Sequence, residues 1–371
     1  MALQTPGVDK RSGGLESLFE SIFPGVAHNL AKHPTTPMCH KGTRLAVIND
    51  IISWVNDEDR TCRLLWLDGA LGVGKSAILQ TVVERCAEAG KLGAAFSFSR
   101  DSKRRKNARS FSLALSYQLS LAIPALRLDI EKEIKANPHI LSKTLAQQIE
   151  RLVLLPLSQL TELPSMFIAI DGLDECDLPG QVSILELIPT LLSDLPRSFS
   201  LLVASRPTTY IREAFDETLQ DLSRRVTLDE RYAPDKDIEI FLRYKLRGSQ
   251  GHSTHTWPLD SDMRLLVDAC SGQFICAVTI VRYIEGGPHS LEIMLKNLLS
   301  TTHSKNASLN PLDNLYIRVL STYPDSPRLL SVLGILIVSS YQIGLIEALL
   351  GLNPGDVTRY LRGLHSLLVL P

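Results

Sequence analysis

Gly69-Ala70-Leu71-Gly72-Val73-Gly74-Lys75-Ser76 fits the pattern G-x-x-x-x-G-K-[ST] at every fixed position. Its flanks support the same reading. Leu64-Leu65-Trp66-Leu67 ahead of it is an apolar, strand-like run, while Ile78, Leu79, Val82, Val83 and Cys86 behind it form one face of a helix. A strand turning sharply into a helix points several backbone N–H groups into a small concavity, and the helix N-terminus adds partial positive charge there. Gly69, Gly72 and Gly74 let the backbone curl that tightly and approach an anion with no Cβ in the way. The stretch therefore predicts a polyphosphate cradle, with Lys75 reaching the β- and γ-phosphates and the Ser76 hydroxyl ligating Mg²⁺.

Downstream, Met166-Phe167-Ile168-Ala169-Ile170 is a continuous apolar run, the pattern of a central parallel strand buried on both faces. It delivers Asp171, placed to hold Mg²⁺ through its water shell. Gly172-Leu173-Asp174-Glu175 follows. One of the two further acids can polarise a water for in-line attack, or cap the helix that starts near Leu178. Ser200-Leu201-Leu202-Val203-Ala204 repeats the strand pattern and delivers Ser205-Arg206-Pro207. Arg206 then lies at the strand edge where ligands bind in such sheets. Its guanidinium either reports on a γ-phosphate or closes an ion pair with Asp171 or Asp174.

Around these three segments the chain alternates strands and helices. Gly93–Ser97 reads as a further strand and Arg225–Leu228 as the last one. Helical patterns cover about 109–122, 125–136, 143–155, 180–194 and 235–246, with Pro124, Pro138 and Pro156 as punctuation. The fold class is α/β: a parallel P-loop sheet wound on both faces, followed by an all-helical domain and a partial winged-helix-like segment. The expected organisation is a leader and linker over 1–40, an NTPase domain over 41–248, a helical domain over 257–300 and the winged-helix-like part over 309–371. Polar linkers at Gly248–Thr256 and Ser300–Ser308 separate the last three. The basic run Arg100-Asp101-Ser102-Lys103-Arg104-Arg105-Lys106 reads as a solvated loop, a phosphate contact or a nuclear address.

At 371 residues the chain exceeds one comfortable core. It is 44% hydrophobic and 21% charged, which excludes wholesale disorder, and its net charge of −1 points to no nucleic-acid partner. Six cysteines without a C-x-x-C pair fit reduced thiols in the cytoplasm. Leu329–Ile346 is uncharged, but Ser339-Ser340-Tyr341-Gln342 divides it into two short pieces. The expectation is a buried helix pair and no membrane span.

Taken in order, Gly42-Thr43-Arg44, GALGVGKS, IAIDGLDEC and LLVASRP resemble a NACHT-type P-loop NTPase of the STAND class. Within that class the chain is most similar to fungal NOD-like proteins with a nephrocystin-like N-terminal NTPase module. Phe96-Ser97-Phe98-Ser99-Arg100 and Gly272-Gln273-Phe274-Ile275-Cys276-Ala277 extend the likeness, which covers about residues 39–371. The resemblance implies an ATP/ADP-controlled signalling switch with Mg²⁺, slow hydrolysis, and self-association through the NTPase domain under an unknown upstream ligand. It places Arg44 by the adenine and ribose, although a Gly-Thr-Arg turn can equally cap the following helix. Two features depart from the family. Gly272-Gln273-Phe274 lacks the proline that packs on adenine in some relatives. The chain also stops at Pro371, ahead of the expected winged-helix histidine and sensor repeats, and His365 is not assigned that role. On this reading ADP is weakly retained and an open form is easily reached.

Two other classes remain. In a turnover ATPase of AAA-like type, a glutamate stands directly after the metal aspartate, where this chain has Gly172. A nucleotide-dependent scaffold would bind without hydrolysis.

Overall fold

The computed structural model describes residues 37–100, 105–248, 257–286, 290–300, 313, 316–317, 319–320, 326–338 and 341–364. Most of the leader, the middle of the basic run, all but the first residue of each polar linker and His365 lie outside them.

The described elements begin with α1 (Leu45–Asn56), β1 (Leu64–Asp68), α2 (Lys75–Glu88), β2 (Leu92–Ser97), α3 (Ala108–Ala122) and α4 (Arg127–Ala136). Helix α5 (Leu145–Ile149) runs through a π turn, Glu150–Leu154, into the short α6 (Leu155–Ser158). Pro156 stands just beyond that turn and has no N–H for the regular ladder, which accounts for the widened turn. Then come β3 (Met166–Asp171), α7 (Leu178–Asp194), β4 (Phe199–Ser205), α8 (Thr209–Asp216) and β5 (Ser223–Thr227).

The five strands form one parallel sheet in the order β2-β3-β4-β1-β5, with helices on both faces. β1, β3 and β4 are interior, and this is why their sequences run apolar without alternation: all five residues of β1 and all seven of β4 are buried. β5 is an edge strand and carries Arg224 and Arg225 among its five residues. Trp66, Phe111, Phe167 and Phe199 are among the largest fully buried side chains. Each contributes about 1.5–3 kcal/mol through the apolar surface it removes from water. The register sets Asp171 opposite Ser97 on one side and Ala204 on the other, and Asp68 opposite Ser205. The C-terminal ends of the strands are thereby gathered along one edge.

The described residues form two compact units. The first holds Arg44–Leu71 and Lys75–Leu228; the second holds His40–Thr43, Gly72–Gly74 and the chain from Asp229 onward. In the second unit α9 (Pro234–Gly248), α10 (Asp260–Cys270), α11 (Phe274–Gly286) and α12 (Leu291–Ser300) share a core that includes Ile238, Leu242, Met263, Ile280 and Leu295. A smaller cluster of Val332, Ile346, Val357 and Leu361 joins α13 (Ser326–Val338), α14 (Ile343–Leu349) and α15 (Asp356–Gly363).

The apolar stretch read as a buried helix pair needs correcting. Val332 and Ile346 are buried, but Ile337 and Val338 at the end of α13 are 84% and 86% exposed. Only one stripe of each helix finds a partner among the described residues. No single described helix is long and apolar enough to cross a membrane. The bent pair of α3 with the Pro124–Ala136 segment passes by length and composition together, yet much of it packs in the core of the first unit.

Candidate functional site

The glycine-rich loop follows β1 and ends at the first residue of α2. Gly72 and Gly74 take φ of 78° and 99°, the left-handed region where a Cβ is strained, so these two glycines are required by the turn. Gly69 is not in that region, and the expectation that all three serve the curl holds for two. Leu71 is half exposed, and Val73 is buried.

Lys75 is turned back on its own loop. Its Nζ donates to Gly69 O at 2.7 Å and to Ala70 O at 2.8 Å. Burial, with the nearby Arg206 charge, lowers its pKa, while Asp174, Asp171 and Asp68 pull the other way. The loop carbonyls thus hold an ammonium group that an arriving phosphate can take over.

Ser76, next along α2, donates through Oγ to Asp171 Oδ1 at 3.1 Å. Ser97, at the end of β2, donates to Asp171 Oδ2 at 3.4 Å. Burial pushes the Asp171 carboxyl up to about 6; the charges of Glu175 and Asp174 add to that shift, and the Ser76 hydrogen bond and Lys75 oppose it. A half-buried carboxylate short of positive charge, beside a serine hydroxyl, is an all-oxygen donor set of the kind a hard divalent cation selects. Ser76 and Asp171 therefore fit Mg²⁺. Ser97 was not singled out from the sequence; the signal lay in strand register, since it ends the strand next to Asp171.

After Asp171 the chain makes a tight turn. Gly172 has φ of 66° and starts a 3-10 turn, Leu173–Glu175, whose Glu175 N–H donates to Gly172 O at 2.7 Å. Asp174 is only 3% exposed. Its Oδ1 accepts the Arg206 backbone N–H at 3.0 Å, and its Oδ2 pairs with Arg206 Nε at 3.1 Å. Of the two roles open to Arg206, the ion pair with Asp174 is the one present here, although the side chain is 36% exposed. Glu175 is half buried and close enough to Asp171 to raise its pKa. Neither acid caps α7: that position belongs to Asp177, whose side chain accepts the Gly180 N–H at 3.0 Å. Arg100, at the start of the basic run, donates to Asp174 O at 3.0 Å, so this end of the run has a structural partner.

Arg44 is only 3% exposed and sits at φ 57° immediately before α1. Its side chain makes no cap hydrogen bond to that helix.

Residues 42–206 match the model of the family described as Nephrocystin 3, N-terminal, a span running from Gly42 to Arg206. Among solved structures, a Walker-type ATPase of Pyrococcus abyssi is 14% identical, with 89% of this chain and 92% of that one covered at a TM-score of 0.45. Drosophila ORC bound to DNA is 12% identical, with 96% and 85% covered at 0.40. C. elegans PCH-2 is 11% identical, with 74% and 66% covered at 0.33. Likenesses this loose carry no functional argument. No curated protein matches. The loop, the strand order and the family match together make the five-stranded sheet and its glycine-rich loop a P-loop NTPase fold.

Proposed function

We propose that the chain is a nucleotide-controlled signalling switch of the STAND type, binding ATP or ADP with Mg²⁺ and hydrolysing ATP slowly. The observation that carries this reading is the Ser76–Asp171 hydrogen bond, which unites the loop hydroxyl with the β3 carboxylate as a ready oxygen site for the metal. Lys75 leaves Gly69 O and Ala70 O for the β- and γ-phosphates when nucleotide arrives, exchanging two carbonyl contacts for a charge-assisted one. The bound Mg²⁺ would neutralise phosphate charge.

Slow turnover follows from how the two further acids are used. Asp174 is committed to Arg206, which leaves Glu175 to orient the attacking water. Arg206 is held at the strand edge with its side chain partly exposed, placed to answer a γ-phosphate. A contact made to ATP and lost with ADP is the differential interaction a switch needs. The same reading includes NACHT membership, the helical and winged-helix-like parts, a cytoplasmic location, self-association, and control by an upstream ligand not identified by its chemistry. For Arg44 it keeps the place beside adenine and ribose.

Phosphate release by the purified chain, read with the nucleotide recovered after denaturation, tests the proposal. Turnover of a few per hour or slower, with ADP or ATP recovered, supports a switch. Fast turnover supports an ATPase of AAA-like type. Nucleotide recovered without any turnover supports a scaffold, and no nucleotide binding at all overturns the reading.

A further inference from the structure

Asp68 is the last residue of β1, directly before Gly69, and only 1% of its surface is exposed. A carboxylate at the root of a phosphate-binding loop opposes the loop's purpose unless its charge is cancelled. The cancelling group comes from the edge strand β5: Arg225 Nη2 meets Asp68 Oδ2 at 2.9 Å, while Asp68 Oδ1 has no hydrogen-bond partner. Arg225 also pairs with Asp216 at 3.0 Å and lies over the Trp66 ring at 4.3 Å. The Trp66 ring stacks on Phe215 and donates to Ser205 Oγ at 2.9 Å. Three contacts thus fix one guanidinium, and two more fix the ring beneath it, beside a carboxylate whose field reaches Lys75.

We propose that Arg225 is a positioning residue for the nucleotide site: by neutralising Asp68 it leaves Lys75 free to turn from its own loop to the phosphates and spares those phosphates a buried negative charge. The inference rests on the reading of Gly69–Ser76 as a nucleotide site and adds a determinant outside the motif. A brace that only tied β5 to β1 would use the same contacts, so charge logic must separate the two roles.

The test measures the ATP dissociation constant of the full chain by titration calorimetry for R225Q, R225K, D68N and the D68N/R225Q double variant, with melting temperature alongside. R225Q uncovers the Asp68 charge and should weaken ATP binding about tenfold or more. R225K keeps the charge but not the fork and the ring contact, and should lose clearly less affinity than R225Q. The double variant removes the uncovered charge and should recover most of the lost affinity, whatever its melting temperature. D68N alone should tighten ATP binding. Parental affinity in R225Q, or no recovery in the double variant, overturns the proposal. Should R225Q not fold, weaker binding by D68N overturns it. If the parent itself binds no ATP, the nucleotide reading fails first and takes this inference with it.

Discussion

Asp174 holds Arg206 at two points, accepting its backbone N–H at 3.0 Å and pairing with its Nε at 3.1 Å. The acid comes from the turn after β3 and the base from the end of β4, so the pair ties two neighbouring strands at the edge where nucleotide would bind. It also divides the labour between adjacent acids, since Glu175 has no such commitment among the described ion pairs.

D174N and E175Q should therefore differ in kind. D174N leaves Arg206 without its counter-charge and should cost about 1.5–3 kcal/mol of stability, seen as a lower urea midpoint. E175Q should keep the parental midpoint and nucleotide affinity, while phosphate release drops about 100-fold. Equal losses of stability in the two variants would contradict this division.

Lys75→Ala should remove most ATP affinity, about 100-fold or more, because the loop loses its own formal positive charge. Of the two carbonyls it served, Ala70 O is exposed and Gly69 O partly buried, so the melting temperature should fall by no more than a few degrees. A folded K75A protein with unchanged ATP binding would refute the loop assignment.

Asp171→Asn should abolish the gain in ATP affinity that Mg²⁺ brings. It should also reveal the cost of the buried charge. A carboxyl whose pKa is raised to about 6 favours the folded state while protonated, and that advantage is lost as pH rises through 6. Without metal, D171N should melt no lower than the parent at pH 7.5, and any excess stability should shrink at pH 5.

The thiols should fall into two classes. Cys39 and Cys62 are partly exposed, whereas Cys86, Cys176, Cys270 and Cys276 are buried. Burial raises the thiols of Cys86 and Cys276 to about 11 and that of Cys176 to about 12, and moves Cys270 upward as well. With a disulfide reagent at pH 8, Cys39 and Cys62 should react first, and the other four only on unfolding. The buried thiols' contribution to stability should be flat below their ordinary pKa of 9.0 and be lost as pH rises from there through about 11.

Much of the architecture was legible because parallel strands buried on both faces write themselves as unbroken apolar runs. Leu64–Leu67, Met166–Ile170 and Ser200–Ala204 all did so, and each ended in a residue that reaches the site's edge. Pairings across the sheet were not legible. Ser97 joins Asp171, and Arg225 joins Asp68, through register between strands far apart in sequence, which no local pattern encodes. The helix cap was likewise not legible: Asp174 and Glu175 were the candidates, yet after the turn at Gly172 it is Asp177 that meets the first turn of α7. Apolar composition misled at Ile337 and Val338, because hydrophobicity states what a side chain prefers and not whether a neighbour is there to cover it.

Trp66 has one consequence of a practical sort. It is one of three tryptophans in the chain, fully buried, hydrogen-bonded to the residue before Arg206 and lying beneath Arg225. A charged group over an indole and a hydroxyl on its N–H both set the energy of its excited state. The chain therefore carries an optical gauge between the root of its phosphate loop and its strand-edge arginine, and a shift in ultraviolet emission would follow both as nucleotide arrives, with no dye attached.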